Sequence, residues 1–488
     1  MEIGDISFYG LLPVITFTLV ACGLTMLRSL NHNDHELHRL AGVIASVSAS
    51  AFVIIASALR WRQFDTGKLT EANMQTMSGL VSIDRMSALS SIVISLLVIV
   101  TALVAGRYLE KREDMPSAEF FILLLCVAAG MVAMTMANDL LVMFVALEVF
   151  SIPLYVLTAF DRRRARSLEG GFKYFIMGAV SSAIFLYGIA LHYGVSGSTT
   201  LGGATTNSTI SAIAMVLISV GLLFKVASVP FHFWSPDAYQ GAPSPVTMYM
   251  AAATKLTAFV AFTRLITSGV IDASPGGSTG RIVLTVACLA SALFGSIVAL
   301  RQSNVKRAIA YSSISHTAYI LLALKAGTID SMQAVMTYVV AYALIIAGTF
   351  AIISLVVGVN EQDDSMSALK GLASRNPYLA GSLTILLFAQ AGIPLTSGFI
   401  AKFEVFRVAF EQEFYISAII VLITTVIAAA LYLRIVLSLY SDSFGEQTAL
   451  AEKLDVSPGV SFAVGLCVVA TIAVGIFPTL LTGLTHAL

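Results

Sequence analysis

Glu148, Lys225, Lys255, His316 and Lys402 each interrupt an apolar run of membrane-spanning length. In ANDLLVMFVALEVFSIPLYVLTAF, VTMYMAAATKLTAFVAF and AIAYSSISHTAYILLAL the titratable residue lies about ten positions in, roughly 15 Å along a helix and close to mid-bilayer. A charge at a helix centre costs roughly 2.5–3.5 kcal/mol on insertion scales, so Glu148, Lys225, Lys255 and Lys402 together cost about 10 kcal/mol before compensation. Such residues mark proton or ion pathways by default. Lysine suits proton exchange, because burial disfavours its charged form by enough to bring an ordinary value of about 10.4 towards neutrality. Opposite sign makes Glu148 and Lys225 the expected pair; separating them would expel a proton and rejoining them would reload it. The bland alternative is a static ion pair that only fixes packing, but the buried lysines outnumber the buried carboxylates available to them.

Four further residues have two readings each. Lys173, in GGFKYFIMGAV, is either a snorkelling anchor or a proton-uptake group. His232, just past Lys225, either relays protons or satisfies freed backbone groups. Arg264 and Arg434 are either interface charges or channel groups. By depth alone Lys306 is an interface charge, and Trp234 with its neighbouring prolines is structural.

The elements that must position these groups are helices. The chain has 488 residues, 57% hydrophobic and 11% charged, with a mean hydropathy of +0.88, beyond what a soluble chain carries. Apolar runs near 20 residues recur throughout, too long for barrel strands. They predict an all-α polytopic membrane protein of about fourteen transmembrane helices. Net charge is zero, so nothing points to nucleic acid. Cys22, Cys126, Cys288 and Cys467 lie far apart inside predicted spans, and neither a cluster-binding spacing nor a glycine-rich nucleotide fingerprint occurs. The start, MEIGDISFYG, lacks a basic region and reads as leading into a first span.

Two spans are broken. In FKVASVPFHFWSPDAYQGAPSPV, residues 224–246, the apolar run ends at Lys225 and meets Pro230 and Pro236. In LLFAQAGIPLTSGFIAKFEVF, Gly392 and Pro394 interrupt a run that resumes toward Lys402. The first is span 7 and the second span 12, so two five-helix units, spans 4–8 and 9–13, have inverted topology. Interrupted helices at matching places in inverted halves point to a mid-membrane pathway. The expected division of the single membrane domain, 1–488, is an N-terminal three-helix segment (1–116), a first repeat (117–269), an inverted second repeat (281–440) and a C-terminal loop and helix (441–488).

Arg107, Lys111 and Arg112 follow span 3, Arg162, Arg163, Arg164 and Arg166 follow span 5, and Lys306 and Arg307 follow span 9. By the positive-inside rule these loops are cytoplasmic and both termini are not. The uncharged loops SGSTTLGGATTNS and IDASPGGSTG fall on the other side, whereas Arg60, Arg62, Lys68 and Arg85 oppose the assignment.

LLFKVASVPFHFWSPDAYQGAPSPVT, ALRQSNVKRAIAYSSISHTAYILLAL and AGIPLTSGFIAKFEVF closely resemble the antiporter-like membrane subunits of respiratory complex I, within the group of subunit N (chain 2). The resemblance covers roughly spans 4 to 13. It implies a fourteen-helix fold with inverted repeats, and a proton path in which Glu148, Lys225, Lys255 and Lys402 are the principal carriers, Lys173 the span 6 lysine, and Lys306 and His316 the polar positions of span 10. It further implies a translocase subunit of NADH:quinone oxidoreductase with no redox site of its own. Quinone, flavin and iron–sulfur clusters are then expected in partner subunits, and the partners are other membrane subunits and lipid. A bacterial plasma membrane is the expected location. The rival readings are a subunit of a multi-subunit sodium/proton antiporter and a purely structural scaffold.

Overall fold

The computed structural model describes residues 2–3, 6–31, 34–67, 75–112, 114–202, 209–271, 279–358, 361, 364–441, 454 and 456–488. Lys68, part of the loop 195–207, most of IDASPGGSTG and most of the 441–458 connector lie outside the described residues. The helices are α1 (Phe8–Leu30), α2 (His35–Asp65), α3 (Arg85–Glu110), α4 (Ser117–Met136), α5 (Leu140–Thr158), α6 (Ala165–Ser196), α7 (Thr209–Lys225), α8 (Trp234–Gly241), α9 (Ser244–Thr267), α10 (Thr279–Leu300), α11 (Val305–Leu324), α12 (Ile329–Val357), α13 (Leu372–Arg375), α14 (Pro377–Ala391), α15 (Ser397–Glu411), α16 (Tyr415–Tyr440), α17 (Pro458–Ile476) and α18 (Thr479–Thr485). Eleven are long and apolar enough to cross a membrane alone. With α11 and the two-part helices α7/α8 and α14/α15, the traverses among the described residues reach fourteen, as the sequence predicts.

Local chemistry sets the helix starts. Asp84 and Ser87 form a capping box at α3, as Thr328 and Ser331 do at α12. Asp139 caps α5 by accepting from the Leu141 and Val142 amides at 2.8 and 3.2 Å. α4 packs on α5, α5 on α6, α6 on α7 and α4 on α9; the second unit repeats this with α10 on α11, α11 on α12, α12 on α14 and α10 on α16. The units meet where α9 packs on α12, α7 on α10 and α8 on α11. α9 is buried over its whole membrane-spanning window, so Lys255 has no lipid-facing side to escape to.

Connections after odd-numbered spans gather at one face and those after even-numbered spans at the other. On the odd face Arg112 bonds Asp114 (2.8 Å) and Asp161 (3.0 Å), joining the loops after spans 3 and 5. On the even face Arg264 binds Asp84 (2.8 Å) and the Thr135 carbonyl (2.7 Å), so it is a structural tie. Arg434 likewise caps α10 through the Leu300 and Gln302 carbonyls. Two arginines that oppose the charge rule are tied down locally. Arg60 donates to the Tyr9 and Gly10 carbonyls, and Arg85 binds Asp65 and the Ala487 carbonyl.

The Arg112 guanidinium holds the Asp114 carboxyl below the usual carboxylate range. A carboxyl depressed in the folded state stabilises it above its ordinary value, near 3.9, and loses that contribution as pH falls through the depressed value. Asp114→Asn is therefore expected to lower thermal stability at neutral pH and to matter progressively less below about pH 4. A melting-temperature difference that stays constant through that range would remove the pair from the acid response.

Candidate functional site

The break in the span 7 helix is built by side chains that replace lost helical hydrogen bonds. After Lys225 the backbone turns through Ala227 at φ 54° and a cis Val229–Pro230 bond before α8 begins. The Phe224 carbonyl accepts from Trp234 Nε1 (2.8 Å), the Val226 carbonyl from Thr317 Oγ1 (2.8 Å), and the Val229 amide donates to Ser291 Oγ (2.9 Å). Freed backbone groups at membrane depth need such partners. Trp234 is thus structural, as its sequence context indicates.

Lys225 is 2% exposed. Its Nζ donates to Ser151 Oγ (2.7 Å) and Tyr155 OH (3.3 Å), below the ring of Tyr174 at 5.4 Å. It does not pair with Glu148, contrary to the sequence expectation. Glu148 is only half-buried, accepts from Ser182, and lies beside exposed Val145, Val149 and Ile152. Glu148, Ser151 and Tyr155 lie along one stripe of α5, so the difference is axial: Glu148 stands a turn before Ser151, roughly 4.5 Å by helical rise, and is taken by Ser182 of α6.

Lys255, on α9, reaches across to α11. Its Nζ donates to the Ser313 carbonyl and to Thr317 Oγ1 (2.9 Å), the same hydroxyl that donates to Val226. Thr317 therefore joins Lys255 to the residue after Lys225. Tyr342 OH donates to Ser313 Oγ (2.8 Å), and Lys255 Nζ sits 5.2 Å from the Tyr342 ring centre. His316 is held by Tyr338 at Nδ1 (2.7 Å) and Tyr432 at Nε2 (3.0 Å).

The second break differs from the first. Lys402 follows the break, on α15, and folds back so that Nζ donates to the Gln390 and Ala391 carbonyls (2.9 and 2.8 Å) at the end of α14. A cation on a helix C-terminus is favourable, and here it also caps orphan carbonyls. Gly392 (φ 88°) makes the turn, and any Cβ there would lie 2.7 Å from Lys402 Cδ. A small cavity with room for about one water lies between Lys402 and His316, lined also by Tyr338 and Tyr342. Lys225, Thr317, Lys255, Ser313, Tyr342, His316 and Lys402 thus form a polar line between the two breaks. No carboxylate lies within ion-pair distance of its three lysines among the described residues.

Three predicted residues lie off this line. Lys173 is near the odd face, bonded to Glu169 (2.6 Å) and Asp237 (2.8 Å). His232 is buried against the rings of Phe233 and Phe294. Lys306 is wholly buried at the start of α11, paired with Glu361 at 2.7 Å. Glu361 was missed because it falls in a polar connector. Its burial comes from how α3, α9 and α11 converge. The tyrosines were also missed, although a signal existed. SIPLYVLTA (151–159) in α5 and SHTAYILLA (315–323) in α11 align as a repeat, matching Ser151 to Ser315 and Tyr155 to Tyr319. Each tyrosine ring carries a lysine above it, Lys225 at 5.2 Å and Lys402 at 4.8 Å. Glu148 aligns with Ser312, so the second repeat lacks that carboxylate.

A family model described as NADH:quinone oxidoreductase/Mrp antiporter, TM, matches residues 137–428, which hold both breaks and every residue of the line. The chain belongs to this antiporter-like family. NADH-quinone oxidoreductase subunit N of Mycobacterium bovis is 40% identical over 392 residues, 77% of this chain and 72% of the relative. Subunit N 1 of Solibacter usitatus is 33% identical over 474 residues, 96% of this chain and 94% of the relative. A chain of respiratory complex I from Thermus thermophilus matches with a TM-score of 0.80 at 29% identity, over 97% of this chain and 99% of that one. Within this family the chain is a multi-pass membrane protein. Among its described residues, no group of three or more His, Cys, Asp or Glu could hold a metal ion.

Proposed function

We infer that the chain is the subunit N type of antiporter-like membrane subunit in an NADH:quinone oxidoreductase, moving protons while neighbouring subunits reduce quinone. The observation that carries this is the row of titratable and hydroxyl groups between the two broken helices, in which Thr317 bonds both Lys255 and the Val226 carbonyl beside Lys225, and a small cavity separates His316 from Lys402. Ammonium groups with hydroxyl, carbonyl and ring neighbours but no anion beside them are held by solvation that a proton transfer can rearrange. Lys225 and Lys402 are the terminal carriers, Lys255 and His316 the connecting groups, and Glu148 acts on Lys225 from outside contact distance. Lys306, Lys173 and His232 serve the approach from the odd face rather than the line itself.

The identities to named oxidoreductase subunits support this reading over the sodium/proton antiporter reading. Flavin, iron–sulfur clusters and quinone belong to partner subunits, and lipid and those subunits cover the apolar outer face. The odd face carries Arg107, Lys111, Arg112, Arg162, Arg163, Arg164, Arg166 and Arg307. By the positive-inside rule it is the cytoplasmic face of a bacterial plasma membrane, and both termini are on the other side. The similar packing of α4–α9 and α10–α16 supports a division into 1–116, 117–269, 281–440 and 441–488.

Purification in gentle detergent is expected to bring companion subunits and NADH-dependent quinone reduction. In vesicles, Lys402→Ala is expected to abolish the proton gradient. A chain that purifies alone and exchanges sodium for protons, or undiminished pumping by the alanine variant, would overturn the reading.

A further inference from the structure

Among the described residues Glu361 is the most enclosed carboxylate of the odd face, with no exposed side-chain surface. Its Oε1 accepts from the Ser244 amide (2.6 Å) and hydroxyl (2.7 Å) at the start of α9, with Tyr108 OH of α3 at 3.5 Å. Its Oε2 is shared by two cations. Lys306 Nζ, from the second repeat, lies at 2.7 Å, and Arg164 Nη1, from the loop that opens the first repeat's α6, bonds the same oxygen. Lys306 also donates to the Ala242 carbonyl at 3.0 Å. One oxygen bonds two cations from two repeats at once, so a relative movement of the repeats that lengthens one contact leaves the carboxylate to the other.

The surroundings give that competition a direction. A polar cavity of about 160 Å³ opens on the odd face between Arg166, Glu169, Asp237, Gln240 and Arg307. Gln240 binds Asp364 (3.2 Å), whose carbonyl accepts from the Val305 amide beside Lys306 (2.8 Å). The cavity is thus linked, through Gln240 and Asp364, to the backbone beside Lys306. On the inner side, Ser313 lies seven residues along α11, about 10 Å by helical rise, and already holds Lys255.

We infer that Glu361 is the exchangeable anion of the proton-uptake gate. When it belongs to Lys306, the lysine is pinned to the odd face. When Arg164 takes it, Lys306 is released inward, where its ammonium gives one N–H proton to Lys255 in its neutral amine form, which becomes the ammonium. As the neutral amine Lys306 returns and takes one proton from a hydronium ion arriving from the odd-face solvent, which leaves water, and no other bond changes. Glu361 is a positioning residue in this scheme, since it acts through Lys306. The inference rests on the proton-path reading above.

The test uses the assembled complex in inverted membrane vesicles, reading NADH-driven proton accumulation beside electron transfer to an artificial acceptor that bypasses quinone. Glu361→Gln keeps the size and a hydrogen-bond acceptor for Ser244 but removes the charge. Proton accumulation is expected to be lost, artificial-acceptor reduction retained, and pumping largely kept in Glu361→Asp. Arg164→Gln leaves Glu361 neutralised by Lys306, so a merely structural carboxylate would tolerate it, whereas the gate requires the competitor and pumping is again lost. If Glu361→Gln fails to assemble, Arg164→Gln decides. Wild-type pumping in either assembled variant overturns the gate. Lys402→Ala serves as the control, because its failure to abolish pumping would instead sink the proton-path reading.

Discussion

Lys225→Arg is expected to stop quinone-linked proton translocation as completely as Lys225→Ala, at least about 100-fold, which is the scale on which positioned proton-transfer groups act. A guanidinium keeps the positive charge and bonds Ser151 and Tyr155 at least as well as an ammonium, but it does not release its proton in proteins. A structural cation would survive this exchange and a carrier would not. Lys225 is surrounded by the rings of Phe150, Tyr155 and Tyr174 within 5.4 Å of its Nζ. These faces stabilise the charged form without fixing it as a carboxylate would. Assembly is checked by artificial-acceptor reduction and by companion-subunit recovery. An assembled Lys225→Arg complex that builds a normal gradient would reduce Lys225 to a packing charge.

Gly398→Ala is expected to lower the melting temperature of the complex and to cost roughly 3 kcal/mol or more, the upper range for overpacking at a site that cannot relax. A Cβ at Gly398 would stand 1.8 Å from the Ala389 carbonyl oxygen, which is backbone at the end of α14 and cannot swing aside. Relief requires α15 to move off α14. That movement carries Lys402 away from the Gln390 and Ala391 carbonyls, so pumping should fall even in the fraction that remains assembled. A small side-chain change elsewhere on α15 that adds no atom tests specificity. Ser397→Ala, the neighbouring helix-start residue, has no such overlap to create and is expected to be nearly silent. Unchanged stability in Gly398→Ala would mean that the break is looser than its backbone contacts require.

Much of the architecture was legible in the sequence because hydrocarbon leaves little freedom. A buried backbone must be helical, so apolar run length gives the spans, and Pro230 with Pro236 and Gly392 with Pro394, each clustered beside a lysine, mark the interruptions, whereas the lone Pro13 and Pro153 stay inside helices. The identities of the mid-membrane residues followed for the same reason, since Lys225, Lys255, His316 and Lys402 stand out against an apolar background. Their partners did not follow. Which residue meets Lys225 depends on position along α5, where half-buried Glu148 stands about one turn from Ser151 and about two from Tyr155. The sequence places Lys402 after its break and Lys225 before, yet only the backbone path reveals that Lys402 folds back as a cap. Glu361 had no signal at all in a polar connector, because its burial is produced by three helix ends converging from distant parts of the chain. Composition and run length, which act through solvent, are properties of the sequence. The pairing of charges across helices acts through position, and only the packed fold supplies that.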